Sequence, residues 1–189
     1  MRFETENWPY VPAKWQEKVA GRRSVRVVVI HTAECPRTAK AAEGVANYFK
    51  NVDRKASAHI TIDSDSIVQS VKDNNVAFAA PGVNRDGVQI ELAGYAKQTK
   101  SDWLDVYGLK LLDRAADATA QYCLKYDLPI KHLTDEELAA GARGLIGHVQ
   151  ASRVYKRSTH TDPGVNFPWG YFIEQVAAFA DKRRRDAKP

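Results

Sequence analysis

Three histidines, His31, His148 and His160, and one aspartate, Asp162, carry the residue types that could hold a catalytic metal ion. His148 and Asp162 lie close together in the chain, and Asp162 precedes the turn-forming pair Pro163-Gly164. His31 directly follows an apolar run at residues 25–30. Zn²⁺ binds imidazole nitrogens and carboxylate oxygens, and a catalytic zinc takes three protein ligands while one position stays open. The residue types therefore predict one bound Zn²⁺, provided that the fold brings His31, His148 and Asp162 together.

The elements that must position these residues follow from the hydrophobic pattern. Strands are predicted at residues 25–30, 59–62, 67–71 and 88–92, and helices at residues 39–49, 103–126 and 169–182. Turn formers at residues 63–66 predict a hairpin between the second and third strands. Residues 133–147 are ambiguous, since they combine a helix start with several glycines. The pattern predicts an α/β (α+β) fold with a central mixed sheet flanked by helices, and it leaves the strand order open.

The chain is predicted to form a single domain. Its 189 residues are 44% hydrophobic, which suits one compact core. Residues 1–24 are expected to form an arm that packs on the body, residues 25–181 the domain that carries the chemistry, and residues 182–189 a basic tail. Cys35 and Cys123 provide neither a disulfide framework nor a CxxC metal motif.

The net charge of +5 favours anionic partners such as a cell wall. No nucleic-acid reading motif accompanies the charge, so nucleic-acid binding is not expected. The start of the chain lacks the apolar segment of a signal peptide, and no apolar run reaches the length of a membrane span. We therefore expect a protein that is made in the cytoplasm and is soluble.

Several segments, taken together, resemble one enzyme family. They are residues 27–34 (VVVIHTAE), 57–63 (SAHITID), 89–94 (QIELAG), 147–148 (GH), 161–164 (TDPG) and 167–169 (FPW). Their order and spacing across residues 25–178 are similar to those of the zinc-dependent N-acetylmuramoyl-L-alanine amidases, the type-2 amidase and peptidoglycan-recognition-protein family. That family includes phage endolysins and muropeptide-recycling amidases.

The resemblance implies a role for each matching residue. His31, His148 and Asp162 would bind one Zn²⁺, and Glu91 would be the acidic group that faces the reacting water. The ion polarises the scissile carbonyl and acidifies water, and a nearby carboxylate can carry the proton to the leaving amine. The implied reaction is hydrolysis of the amide between N-acetylmuramic acid and L-alanine in peptidoglycan.

The sequence also departs from the family pattern. His160 occupies a position where many relatives carry a lysine that stabilises the oxyanion, and we expect His160 to supply that hydrogen bond. The alternative is that His160 itself is a ligand. Residues 77–82 lack the histidine that many relatives place at the cleft rim. Asn84 and Arg85 are candidates for binding a substrate carboxylate at that rim.

Two further residues could compete as zinc ligands. His59 lies on a predicted strand and is expected to pack or to support a ligand rather than to bind zinc. Cys35 is expected to be a small buried loop residue rather than a soft zinc ligand.

The leading functional hypothesis is a lysin that acts on the cell wall after release from the cell. The alternatives are a cytoplasmic enzyme that recycles muropeptides, a non-catalytic module that binds peptidoglycan, and a different zinc hydrolase that cuts within the stem peptide. The expected partner is peptidoglycan or a muropeptide, and the expected assembly is a monomer.

Overall fold

In the computed structural model, which describes residues 3–187, five strands form one central sheet. The strands are β1 (Val27–Thr32), β2 (Ile60–Ile62), β3 (Ile67–Gln69), β4 (Gly87–Leu92) and β5 (Gly144–Gly147). Their order is β3-β2-β4-β1-β5. The β2 and β3 strands pair antiparallel, as a hairpin, whereas the other neighbours are parallel. The predicted mixed sheet is therefore confirmed.

Six helices surround this sheet within the described residues. They are α1 (Ala41–Asn51), α2 (Lys100–Trp103), α3 (Val106–Tyr126), α4 (Asp135–Ala139), α5 (His148–Tyr155) and α6 (Trp169–Asp186). Between residues 3 and 187, no helix combines the length and the apolar character that crossing a membrane requires.

One face of the sheet packs against the main hydrophobic core, and the other face carries His31. Side chains alternate between faces along a strand, so Val28 and Ile30 of β1 point to one side and His31 to the other. The first side is the main hydrophobic core, where Val28 and Ile30 cluster with buried residues of α3 and α6 such as Leu112 and Phe172. The same alternation that builds the core therefore delivers His31 to the opposite face.

Two stretches differ from the sequence-based prediction. The helix predicted at residues 103–126 is interrupted, because Asp105 caps the start of α3 by accepting the Gly108 amide at 2.8 Å. The ambiguous region at 133–147 contains both a helix and a strand: Thr134 forms a capping box for α4, and β5 follows. A short helix, α5, also begins at His148, where no helix was predicted.

Both ends of the described chain lie against the body. Trp8 packs on Tyr122 of α3 with ring centroids 5.9 Å apart, and Trp15 donates to the Val52 carbonyl at 3.0 Å. At the other end, α6 continues to Asp186, so much of the predicted tail is helical. Arg183 stabilises these last turns through its ion pair with Asp117 of α3, at 2.7 Å.

Candidate metal centre and cleft

Three buried side chains, His31, His148 and Asp162, converge at one edge of the sheet. Their potential ligand atoms all lie within 4.8 Å of one another. His31 Nδ1 is 3.0 Å from Asp162 Oδ2, and His148 Nδ1 is 3.3 Å from Asp162 Oδ1. The structure thus brings together the three residues that the sequence analysis put forward as metal ligands.

The parallel pairing of β1 and β5 brings the two histidines together. Ile30 of β1 pairs with Gly147 of β5, so the next residues, His31 and His148, emerge side by side. Their ring centroids are 4.7 Å apart. His148 is also the first residue of α5, and the Gln150 side chain fixes this helix start by accepting the Gly147 amide at 2.9 Å. Both rings are therefore held by regular secondary structure.

Asp162 reaches the centre from the loop between α5 and α6. Its carbonyl oxygen accepts the Val149 amide at 2.9 Å, and a cis peptide bond joins it to Pro163. The approach is close because Gly147 has no side chain: a Cβ there would lie 2.6 Å from Pro163 Cδ. Phe167, at the end of the loop, packs edge-on against Trp103 at 5.0 Å. The loop is therefore anchored at both ends.

The three residues strongly perturb one another's protonation. Burial would raise the pKa of Asp162, but hydrogen bonds from His148 and His31 hold it far below its usual range. Burial lowers the pKa of His148 to about 4, and the neighbouring His31 charge acts in the same direction. Burial would also lower the pKa of His31, but Glu91 and Asp162 together raise it to about 9. At pH 7 the cluster therefore combines an ionised Asp162, a protonated His31 and a neutral His148.

The donor set fits Zn²⁺. Two imidazole nitrogens and a carboxylate are ligands that zinc accepts, and three protein ligands leave one position open. Both rings direct Nδ1 toward Asp162 and use Nε2 elsewhere: His31 Nε2 lies 2.9 Å from Gln89 Oε1, and His148 Nε2 lies 3.2 Å from Ser158 Oγ.

The two residues that contact the Nε2 atoms, Gln89 and Ser158, were not predicted from the sequence. For Gln89 a signal existed, since it is a polar residue in an apolar strand two positions before Glu91, and therefore on the same face. Ser158 lies in a loop and offered no comparable signal.

Glu91 lies beside this cluster. It is the register partner of His31 on the adjacent strand β4, and its side chain is largely buried. Within residues 3–187, its Oε2 atom has no hydrogen-bond partner. Burial raises the pKa of Glu91 to about 7 against the opposing charge of His31, and the charges of Asp162 and Glu34 add to the effect of burial. A buried carboxylate with a free oxygen suits proton transfer.

His160 differs from the other two histidines in exposure. Its ring stacks on His148 with centroids 4.3 Å apart, and its Nδ1 lies 3.5 Å from Asp162 Oδ1. Its side chain is 64% exposed, whereas those of His31 and His148 are almost completely buried. The compact group of potential ligands in the described chain does not include His160.

The centre opens into a cleft with a volume of about 1280 Å³. Its walls away from the centre carry aromatic and basic side chains, including those of Tyr48, Arg54, Lys55, Phe78 and Arg157. Lys55 Nζ lies over the Phe78 ring at 3.9 Å from its centroid. The segment without the expected rim histidine, residues 77–82, therefore presents Phe78 to the cleft, and Lys55 lies over the ring of Phe78.

Asn84 and Arg85 also border this cleft. The Asn84 side-chain oxygen accepts the amides of Ala79 and Ala80, at 3.0 and 2.8 Å, so this side chain shapes the rim loop. Arg85 is exposed and pairs with Glu17 at 2.7 Å.

The structure places the two competing candidates outside the potential ligand set. His59 is completely buried, with its Nδ1 accepting the Gln89 amide at 2.9 Å and the Arg23 guanidinium 2.9 Å from its Nε2. Cys35 is half-buried at the cleft wall, and burial raises the pKa of its thiol.

Comparisons with known proteins are consistent with this geometry. Residues 21–165 match the family model described as N-acetylmuramoyl-L-alanine amidase. No protein with a curated description matches the sequence.

Several solved structures share the fold at low sequence identity. The hydrolase AmiA of Staphylococcus aureus superimposes with a TM-score of 0.75 at 16% identity, covering 98% of this chain and 89% of AmiA. AmpD gives a TM-score of 0.64 at 19% identity, with 89% and 94% covered. The endolysin LysCS of Clostridium intestinale gives 0.58 at 14% identity, with 92% and 97% covered.

Proposed function

The chain belongs to the N-acetylmuramoyl-L-alanine amidase family, and we propose that it hydrolyses its substrate with the residues of the cluster and Glu91. The bond cut is the amide between the lactyl group of N-acetylmuramic acid and the L-alanine of the stem peptide. The observation that carries the proposal is the position of Glu91. Its buried oxygen, which has no hydrogen-bond partner in the described chain, lies next to the cluster of His31, His148 and Asp162, in a cleft of about 1280 Å³.

The proposed ligands of one Zn²⁺ are His31 Nδ1, His148 Nδ1 and one carboxylate oxygen of Asp162. When bound, the ion supplies a Lewis acid for the scissile carbonyl and lowers the pKa of water. The convergence of both Nδ1 atoms on the Asp162 carboxylate supports this assignment, as does the outward hydrogen bonding of both Nε2 atoms.

Glu91 is the proposed proton carrier. Its carboxylate takes a proton from water as the water oxygen bonds to the lactyl carbonyl carbon. When the carbon–nitrogen bond breaks, Glu91 gives that proton to the nitrogen of L-alanine. The products are a muramyl carboxylate and a stem peptide with a free amino terminus. Oε2 of Glu91 accepts no hydrogen bond from the described chain, and this supports the role because the oxygen is available to take a proton.

His160 is the proposed donor to the oxyanion that develops on the scissile carbonyl. Its ring forms part of the cleft wall, stacked on His148, and most of its surface is accessible. A hydrogen-bond donor at this position stabilises the charge that forms as water adds to the amide.

The basic side chains of the cleft are the proposed contacts for the carboxylates of the stem peptide. Arg85 can pair with a carboxylate through two parallel hydrogen bonds if it releases Glu17. Asn84 would act at the same rim by holding the loop that precedes Arg85.

We place the activity on intact cell wall, as a lysin that acts as a monomer after release from the cell. The open cleft and the net charge of +5 support a polymeric, anionic substrate. The recycling alternative requires a preference for soluble muropeptides. Rates on purified sacculi and on soluble muropeptides of the same composition would separate the two roles.

Product analysis tests the reaction itself. Digestion of sacculi should release stem peptides that begin with a free L-alanine, identified by mass spectrometry, and the Glu91→Gln variant should release far fewer. Cleavage within the stem peptide would show a different hydrolase. Binding to sacculi without any release would instead identify a recognition module.

A further inference from the structure

Gln89 lies directly behind the proposed metal centre. Its Oε1 atom is 2.9 Å from His31 Nε2, and the Gln89 side chain is completely buried. The Gln89 Nε2 atom faces the Val83 carbonyl at 3.4 Å, which sets the orientation of the amide group. An amide oxygen only accepts hydrogen bonds, so the proton between Gln89 and His31 belongs to His31 Nε2.

A proton on Nε2 decides which nitrogen of His31 can bind a metal. Without a metal, His31 Nδ1 also donates a proton to Asp162. When the ring loses one proton to become a metal ligand, the hydrogen bond to Gln89 keeps the remaining proton on Nε2 and leaves the lone pair on Nδ1. Nδ1 is the atom that faces Asp162, at 3.0 Å. Gln89 therefore selects the tautomer that the proposed centre requires.

The position of Gln89 is itself fixed from several sides. The backbone N–H of Gln89 donates to His59 Nδ1 at 2.9 Å, and the backbone carbonyl of Gln89 accepts the backbone N–H of His59 at 3.0 Å. Gly87 leaves the space for the side chain, because a Cβ at that position would lie 2.8 Å from Gln89 Nε2. Gln89 can therefore move little, and it restricts the rotation of the His31 ring accordingly.

His148 has a similar contact at its Nε2 atom, but this contact constrains the ring less than Gln89 constrains His31. Its Nε2 lies 3.2 Å from Ser158 Oγ, which in turn lies 2.7 Å from Ser152 Oγ. A hydroxyl can donate or accept, so Ser158 does not by itself fix the tautomer of His148. Of the two histidines, only His31 therefore has its tautomer fixed by a neighbouring side-chain atom that can act solely as an acceptor.

We propose that Gln89 is a positioning residue that holds His31 in the Nε2-protonated form, with Nδ1 presented to the metal. The inference rests on the proposed zinc centre and deepens it. Residues that hydrogen-bond to metal-bound histidines are typically worth about 10–100-fold in metal affinity. That range is the effect expected here.

The first experiment measures zinc affinity by competition with a chromophoric chelator. Gln89→Met keeps the approximate volume and removes the acceptor, and it should weaken zinc binding about 10–100-fold. Gln89→Glu restores an acceptor and should recover most of that loss. The matched control is Gln121→Met. Gln121 is a buried glutamine that accepts the Glu6 amide at 2.7 Å, and its helix, α3, packs on the sheet face opposite His31. The control should retain wild-type zinc affinity.

The second experiment needs no variant at Gln89. In the zinc-loaded wild-type protein, ¹⁵N NMR of the imidazole rings should show His31 protonated at Nε2 and bound through Nδ1, with His31→Gln used for assignment. Protonation at Nδ1, or unchanged zinc affinity in Gln89→Met, would overturn the inference while leaving the zinc centre in place. A wild-type protein that binds no zinc through His31 would overturn the centre and the inference together.

Discussion

His31 of β1 and Glu91 of β4 are register partners in adjacent parallel strands, and Val29 stands opposite Gln89 two residues earlier. Paired residues in parallel strands project to the same face of the sheet. One pair of strands therefore holds a proposed metal ligand, the proposed proton carrier and the residue that orients the ligand. Their relative positions depend on the hydrogen-bonded ladder rather than on a flexible loop.

Glu91→Gln should retain zinc and lose turnover. The amide keeps the shape of the side chain but cannot take a proton from water, and general acid–base groups contribute about 10²–10⁴-fold. The measurements are zinc content by metal analysis and the rate of amide cleavage on sacculi. Unchanged turnover would reduce Glu91 to a structural residue of β4.

His31→Ala and His148→Ala should each lose most of the bound zinc. Each substitution removes one of three proposed ligands, and chelator treatment of the wild-type protein should abolish activity that added Zn²⁺ restores. Cys35→Ala serves as the control, because Cys35 lines the cleft but lies outside the potential ligand set. Full zinc content and activity in either histidine variant would show that the ligands are assigned wrongly.

His160→Ala and Asp162→Ala should have different effects on the metal. The exposed His160 is proposed as a donor, so its removal should leave zinc bound and lower turnover by about 10²–10³-fold, the effect of losing one oxyanion donor. The buried Asp162 is proposed as a ligand, so its removal should release zinc. The opposite pattern of metal content would exchange the two roles.

Gly147→Ala should weaken both zinc binding and stability. The new Cβ would lie 2.6 Å from Pro163 Cδ and would displace the loop that carries Asp162. Overpacking of this kind typically costs about 1–3 kcal/mol. Gly170→Ala is the matched control, since nothing lies within 4 Å of a Cβ at that position in α6. Equal zinc affinity in the two variants would contradict the proposed packing constraint.

The metal-free protein should lose stability between about pH 6.5 and pH 3 in part through His59. Burial and the Arg23 charge lower the pKa of His59 to about 3, against the opposing effect of Asp73. The unfolded chain, in which the pKa is near 6.5, therefore binds more protons in this range. The contribution is fully present above pH 6.5 and is lost as the pH falls toward 3.

Denaturant unfolding in chelator, from pH 7 to pH 4, tests this expectation. His59→Gln should be less stable than wild type at pH 7, because the buried contacts of the ring are lost, but its stability should decline less steeply with falling pH. Parallel pH profiles for the two proteins would exclude His59 as a source of the acid sensitivity.

Much of this protein could be predicted from its sequence because the relevant signals are local. The apolar run before His31 and the alternation around Glu91 define two buried strands, and the period of two assigns their side chains to faces. The glycine and proline residues around His148 and Asp162 indicate where the backbone must turn or pack closely. These local signals predict a mixed sheet and mark His31, His148 and Asp162 as candidates, whereas the resemblance to the amidase family assigned them and Glu91 to one site.

The remaining features depend on pairing between distant segments, which local patterns do not encode. Asp162 meets His31 across 131 positions because β1 and β5 are neighbours and the loop before α6 folds over Gly147. Helix capping by Asp105 divided a segment whose hydrophobic period looked continuous. The partnership of Gln89 with His31 became visible only once β1 and β4 were in register, because a hydrogen bond depends on the distance between two atoms and the sequence specifies only their types.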